Sequence, residues 1–146
     1  MPTRTARTAW NGTLQEGSGQ VELSSSKVGT YEVSFPKRAA DEAGGTTSPE
    51  ELIAAAHSSC FAMALSNEIG KAGGTPTALE VTAEVTLGQK DGGPHITKVH
   101  LTVRGEVEGL DAAGFEKAAQ AAKAGCPVSK ALAGVDEITL DAALDQ

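Results

Sequence analysis

From Leu52 to Leu65 the chain carries no charged side chain, and its apolar residues go all the way round a helical wheel. That segment constrains the fold most, because a helix apolar on every side is buried on most of them. Ser48-Pro49-Glu50-Glu51 opens it: Ser48 suits the N-cap, Pro49 the first helical position, and Glu51 completes a capping box. The helix is expected from Pro49 to about Gly70. In a chain of 146 residues, enough for one domain with a real core, so much apolar helix surface points to a partner subunit that covers the remainder.

The segments around the helix read as strands and one further helix. Gln20–Leu23 and Tyr31–Phe35 alternate with the period of half-buried strands, and a polar, glycine-bearing loop is expected from Pro36 to Thr47, with Arg38 inside it. Leu79, Val81, Ala83, Val85 and Leu87 alternate with polar residues, and Val99, Leu101, Val103 and Val107 continue the pattern after a GQKDGGPH hairpin loop. Asp111 caps a second helix, Ala112 to about Lys123. Gly125-Cys126-Pro127 interrupts it, Val128 to Leu132 makes a further turn or short helix, and Ile138 to Leu144 is a closing strand. Clusters of strands broken by two helices argue for α+β rather than a βαβ alternation. Residues 1–146 show no linker or repeat and read as one domain.

Net charge is −7 with no basic run, which argues against nucleic acid binding. The N-terminal MPTRTARTAWNGT has no apolar signal region, and no stretch approaches the roughly 20 apolar residues of a membrane span. The expectation is a cytoplasmic chain that is not membrane-bound. In a reducing compartment a two-thiol pair is more often catalytic or redox-sensing than a permanent bridge.

The chain has two cysteines, Cys60 and Cys126, without a CxxC spacing. Cys60 lies in His57-Ser58-Ser59-Cys60, where the bland reading is a small hydrophobe in an apolar helix. His57 shares its helical face and could lower its pKa, or could be a core histidine satisfied by a backbone carbonyl. Cys126 precedes Pro127: if Pro127 opens the last helical segment, Cys126 occupies its cap and faces unpaired N–H groups that favour thiolate, the bland reading being a cysteine at a helix kink. Local surroundings alone leave open which cysteine attacks first. Glu50 suits the first helical turn by the dipole alone. A loop Arg38 could meet it as a bidentate pair with guanidinium to spare. His57, His95 and His100 are too scattered for a zinc site, and nothing calls for a cofactor.

SPEELIAAAHSSCFAMALS around Cys60 and AGCPVSKAL around Cys126 resemble the two cysteine motifs of the OsmC/Ohr family, the osmotically inducible protein C and organic hydroperoxide resistance proteins, with the AAHSSCF wording closer to the OsmC branch. The resemblance covers nearly the whole chain, including the Trp10 segment, TPTALEVTAEVTL and ITLDAAL. It implies an α+β, OsmC-like fold of antiparallel sheets around two central helices, an intertwined homodimer, and a thiol peroxidase acting on organic hydroperoxides. It matches Cys60 to the peroxidatic cysteine, Cys126 to the resolving one, Glu50 to the glutamate that holds the active-site arginine, and Arg38 to that arginine, although the stretch between Arg38 and Glu50 is longer than the family pattern. It implies a Cys60 sulfenic acid, a Cys60–Cys126 disulfide, and an external dithiol reductant, which in the family can be a lipoyl group.

Two other classes stand beside this reading. A thiol–disulfide oxidoreductase acting on proteins would ordinarily carry CxxC, which is missing. A dimeric module binding small apolar ligands, with inert cysteines, would need no redox chemistry at all.

Overall fold

The hydrophobic pattern after Thr75 builds a sheet on which two helices pack. A computed structural model describes residues 1–145 of the chain. It divides into two compact units, Met1–Leu52 and the chain from Ile53 onward.

The first unit holds strands β1 (Arg7–Asn11), β2 (Ser18–Glu22) and β3 (Thr30–Val33), an antiparallel sheet in that order, and the short helix α1 (Phe35–Ala39). β1 leaves every side chain exposed, so it carries no alternation to read. The expected loop from Pro36 is instead helical at its start. Ser34 accepts from the Lys37 N–H, and Pro36 occupies the first turn, where a missing N–H costs nothing. Arg38 therefore stands on a helical turn and not in a loop.

Helix α2 (Pro49–Lys71) begins as its capping signal dictates: the Glu51 N–H donates to Ser48 Oγ at 3.1 Å. The box is half closed, because the Glu51 carboxylate takes its hydrogen bond from the Thr47 hydroxyl at 2.6 Å. One stripe of the helix is buried, His57, Phe61, Leu65 and Ile69, at the four-residue spacing of a single face. Ala55, Ala56, Ser59 and Met63 are open within the chain, so burial on most sides is not met by this chain alone.

That stripe packs on the second sheet, built from β4 (Thr75–Lys90) and β5 (Gly93–Glu108), and closed on its far edge by β6 (Glu137–Leu144). The long hairpin loop shrinks to two residues, Asp91 (φ 52°) and Gly92 (φ 81°). Positive φ at both positions lets the turn follow the strand twist, so pairing continues to Lys90 opposite Gly93. The middle strand β5 buries Val99, Leu101 and Val103 completely, each worth about 1.5–3 kcal/mol. Between β5 and β6 run helix α3 (Ala112–Gly125), capped by Asp111, and α4 (Pro127–Ala131). α3 covers the sheet with Phe115, Ala118, Ala119 and Ala122. This crossover delivers β6 parallel to β5, so the fold is α+β as expected while one pairing departs from the expected antiparallel set.

Candidate redox site

Cys126 owes its position to a proline. Its N–H donates to the Ala122 carbonyl and closes α3, while its own carbonyl accepts from Lys130 and opens α4. Pro127 cannot continue α3, since it has no N–H and its ring would clash with the preceding turn. The chain bends there and Cys126 ends completely buried. Cys60, on α2 one turn past His57, is partly open. Both thiols are free, and the two sulfurs stand 2.9 Å apart. A disulfide needs about 2.05 Å, so closure is a movement of about 1 Å.

The two thiols share their protons unequally. Burial pushes Cys60 up, and its hydrogen bond with Cys126 pushes it further. Burial opposes ionisation of Cys126 as well. There the hydrogen bond shared with Cys60, the Ser129 and Val128 N–H groups and the Ser129 side chain outweigh it, so Cys126 falls below the ordinary thiol range. Within this unit the negative charge rests more easily on Cys126, and the pair titrates as a pair.

His57 is fully buried and hydrogen-bonds Ser129, Nε2 to Oγ at 2.7 Å, rather than Cys60 or a backbone carbonyl. Burial holds its pKa below the usual histidine value. Its Nδ1 is buried with no hydrogen-bond partner.

The first unit holds a polar pair of its own. Arg38 donates from Nε to Glu50 Oε1 at 2.9 Å and from Nη2 to Oε2 at 2.8 Å, the parallel two-bond geometry that suits a guanidinium to a carboxylate. Glu50 is nearly buried, whereas a third of the Arg38 side chain is exposed. The hydrogen bond to Glu50 raises the arginine's pKa further, so the cation is permanent. Trp10, Leu14, Val33, Phe35 and Pro49 line a cavity of about 220 Å³ with Arg38.

Cys60 and Cys126 thus come together, and Arg38 meets Glu50 despite the long intervening stretch. Ser129 was not among the residues singled out from sequence. Its signal was its place three residues after Cys126, where the first turn of a helix faces its cap. The apolar lining of the Arg38 cavity was missed too: Trp10 lies on a strand with no burial alternation, and Phe35, read as the end of a strand, instead opens α1. Among the described residues no group of three or more His, Cys, Asp or Glu side chains could hold a metal, and no helix is long and apolar enough to cross a membrane.

The family model described as OsmC-like protein matches residues 41–141, a stretch that includes Glu50, Cys60 and Cys126 and begins after Arg38. The chain is 46% identical over 132 residues to the Escherichia coli K12 protein named peroxiredoxin OsmC, covering 90% of each. It is 33% identical over 122 residues to the organic hydroperoxide resistance protein OhrA of Bacillus subtilis strain 168, covering 83% of this chain and 85% of the other. Among solved structures, organic hydroperoxide resistance protein OhrB of Bacillus subtilis matches with a TM-score of 0.71 at 27% identity, covering 97% of this chain and 98% of the other. An OsmC-like protein of unknown function from Vibrio cholerae, at 20% identity and a TM-score of 0.73, shares the fold.

Proposed function

The chain belongs to the OsmC-like family, and from that premise we propose that it is a thiol peroxidase which reduces organic hydroperoxides to alcohols through a Cys60 sulfenic acid and a Cys60–Cys126 disulfide. The observation that carries this reading is the 2.9 Å separation of two free sulfurs, one partly open and one buried. The names of its relatives, peroxiredoxin and organic hydroperoxide resistance protein, support the same reaction class.

In the proposed cycle the proton of Cys60 passes along the short sulfur–sulfur contact to Cys126. The Cys60 thiolate attacks a peroxide oxygen, the O–O bond breaks, and the alkoxide takes a proton to leave as alcohol. Cys126 then attacks the Cys60 sulfenic sulfur, the S–O bond breaks, and water departs. An external dithiol reduces the bridge by two exchanges and is itself oxidised. In this family the donor can be a lipoyl group. Arg38, held by Glu50, is proposed to bind charge that develops on the peroxide oxygens. The apolar cavity beside Arg38 suits an alkyl group, which supports an organic substrate over hydrogen peroxide.

Residues 1–146 are read as one OsmC-like domain working as a homodimer in the cytoplasm. Support for a second copy is the open apolar surface: Met63 on α2 is 73% exposed, Tyr31 42% and Trp10 41%.

The test is mass spectrometry after one equivalent of cumene hydroperoxide. The expected product is one intramolecular Cys60–Cys126 link, lighter by two hydrogens, with one equivalent of alcohol. Recovery of unreacted peroxide and two free thiols would leave the ligand-binding module as the better reading.

A further inference from the structure

The core around Cys126 contains a fully buried histidine. His57, Ser129 and Cys126 expose 0%, 7% and 0% of their surfaces, so each polar atom there needs a partner. Nδ1 of His57 has none, and Nε2 lies 2.7 Å from Ser129 Oγ. A buried N–H without an acceptor is rarer and costlier than a bare lone pair, so the ring proton sits on Nε2 and is donated to Ser129. Ser129's own hydroxyl proton is then free for another acceptor. Cys126 is the N-cap residue of α4 and Ser129 its third residue, so the two stand about one helical turn apart. The Ser129 side chain acts on the Cys126 sulfur and favours its thiolate, and Cys60 Sγ lies 2.9 Å from that sulfur.

We propose that His57 and Ser129 form a buried donor relay, imidazole N–H to hydroxyl and hydroxyl to sulfur, that makes Cys126 the leaving thiolate when the Cys60–Cys126 bridge is reduced. This assignment of positioning residues rests on the two-cysteine peroxidase reading. Cys60 is the more open sulfur, so an incoming dithiol thiolate attacks there. A bond forms between the donor sulfur and Cys60, the S–S bond breaks, and its electron pair leaves on Cys126. Exchange is faster when the departing thiolate is better stabilised. The depressed pKa of Cys126, against the opposing effect of burial, agrees with this direction. The relay also holds Cys126 ready to attack the sulfenic acid in the preceding step.

The experiment forms the bridge with diamide, so it needs no peroxidase activity, and follows its reduction by dithiothreitol in wild type, Ser129→Ala, Ser129→Thr, His57→Phe and the double variant Ser129→Ala/His57→Phe. Ser129→Ala should slow reduction roughly three- to ten-fold. Ser129→Thr, which keeps the hydroxyl, should return to within about two-fold of wild type, and the double variant should be no slower than the slower single one, since both changes cut one chain. His57→Phe carries the same test if Ser129→Ala does not fold. Wild-type reduction rates in the alanine and phenylalanine variants, or equal slowing in Ser129→Ala and Ser129→Thr, would overturn the relay. Should wild type ignore cumene hydroperoxide while these differences persist, the peroxidase reading falls and the relay stands as a property of the dithiol.

Discussion

Arg38 and Glu50 face each other through two parallel hydrogen bonds of 2.9 and 2.8 Å, with the carboxylate buried and the guanidinium partly open. Glu50 therefore fixes the orientation of a cation whose remaining edge is available. If the cation served only to ionise a thiol, it would gain little. A thiol lowered by about three pKa units gains roughly 30-fold in thiolate at neutral pH. At a Brønsted slope of about 0.4–0.5 it loses roughly 15- to 30-fold in nucleophilicity.

Arg38→Lys is accordingly expected to lower kcat/KM for cumene hydroperoxide by on the order of ten-fold or more even where Cys60 still ionises, because an ammonium cannot make the two-point contact or present a planar edge to the peroxide oxygens. The check is kcat/KM measured alongside the Cys60 pKa, followed by ultraviolet thiolate absorbance. A pKa change that accounts for the whole rate loss would refute the transition-state role.

Substrate size supplies an independent check. Trp10, Leu14, Val33, Phe35 and Pro49 give the Arg38 cavity an apolar wall, and about 0.8 kcal/mol is available per buried methylene. Cumene hydroperoxide should be reduced with a higher kcat/KM than hydrogen peroxide, and Trp10→Ala should narrow the gap by raising KM for the larger substrate. A preference for hydrogen peroxide would count against the assignment.

Much of this architecture was legible because local signals agreed with the final packing. Ser48-Pro49-Glu50-Glu51 and Asp111 start helices where they stand, and Val99, Leu101 and Val103 show the alternation of a strand with one buried face. β1 was not legible, since a strand exposed on both faces has no period of its own. The hairpin was overestimated because Asp91 adopts positive φ, which shortens the turn to two residues. The parallel pairing of β6 depends on the path of α3 and α4, which no local pattern encodes. Cysteine motifs pointed to the thiols, but the sulfur separation and the His57–Ser129 bond arise between residues far apart in the chain.

Gly105 tests how tightly α3 meets the sheet. A Cβ there would lie 2.7 Å from two ring carbons of Phe115 and 3.1 Å from a Leu79 methyl, and Phe115 is 1% exposed with nowhere to swing. Gly105→Ala should destabilise the protein by about 1–3 kcal/mol, read as a lower denaturation midpoint at unchanged slope. A midpoint equal to wild type would mean that the Phe115 ring yields without cost.

The buried imidazole sets a pH dependence of stability with a defined sign. Burial lowers the pKa of His57 in the folded chain below the unfolded value of about 6.5. Between those two values the unfolded chain binds more protons, so stability rises with pH across the window. The contribution is fully present above about pH 6.5 and is lost progressively as pH falls from there through the folded pKa. Wild type should therefore lose more Tm between about pH 7.5 and about pH 5 than His57→Gln does, with every other titratable group common to both proteins. The comparison removes the carboxylates, whose ordinary range lies lower, near pH 4. Parallel Tm curves for the two proteins across that range would show that His57 does not resist protonation in the fold.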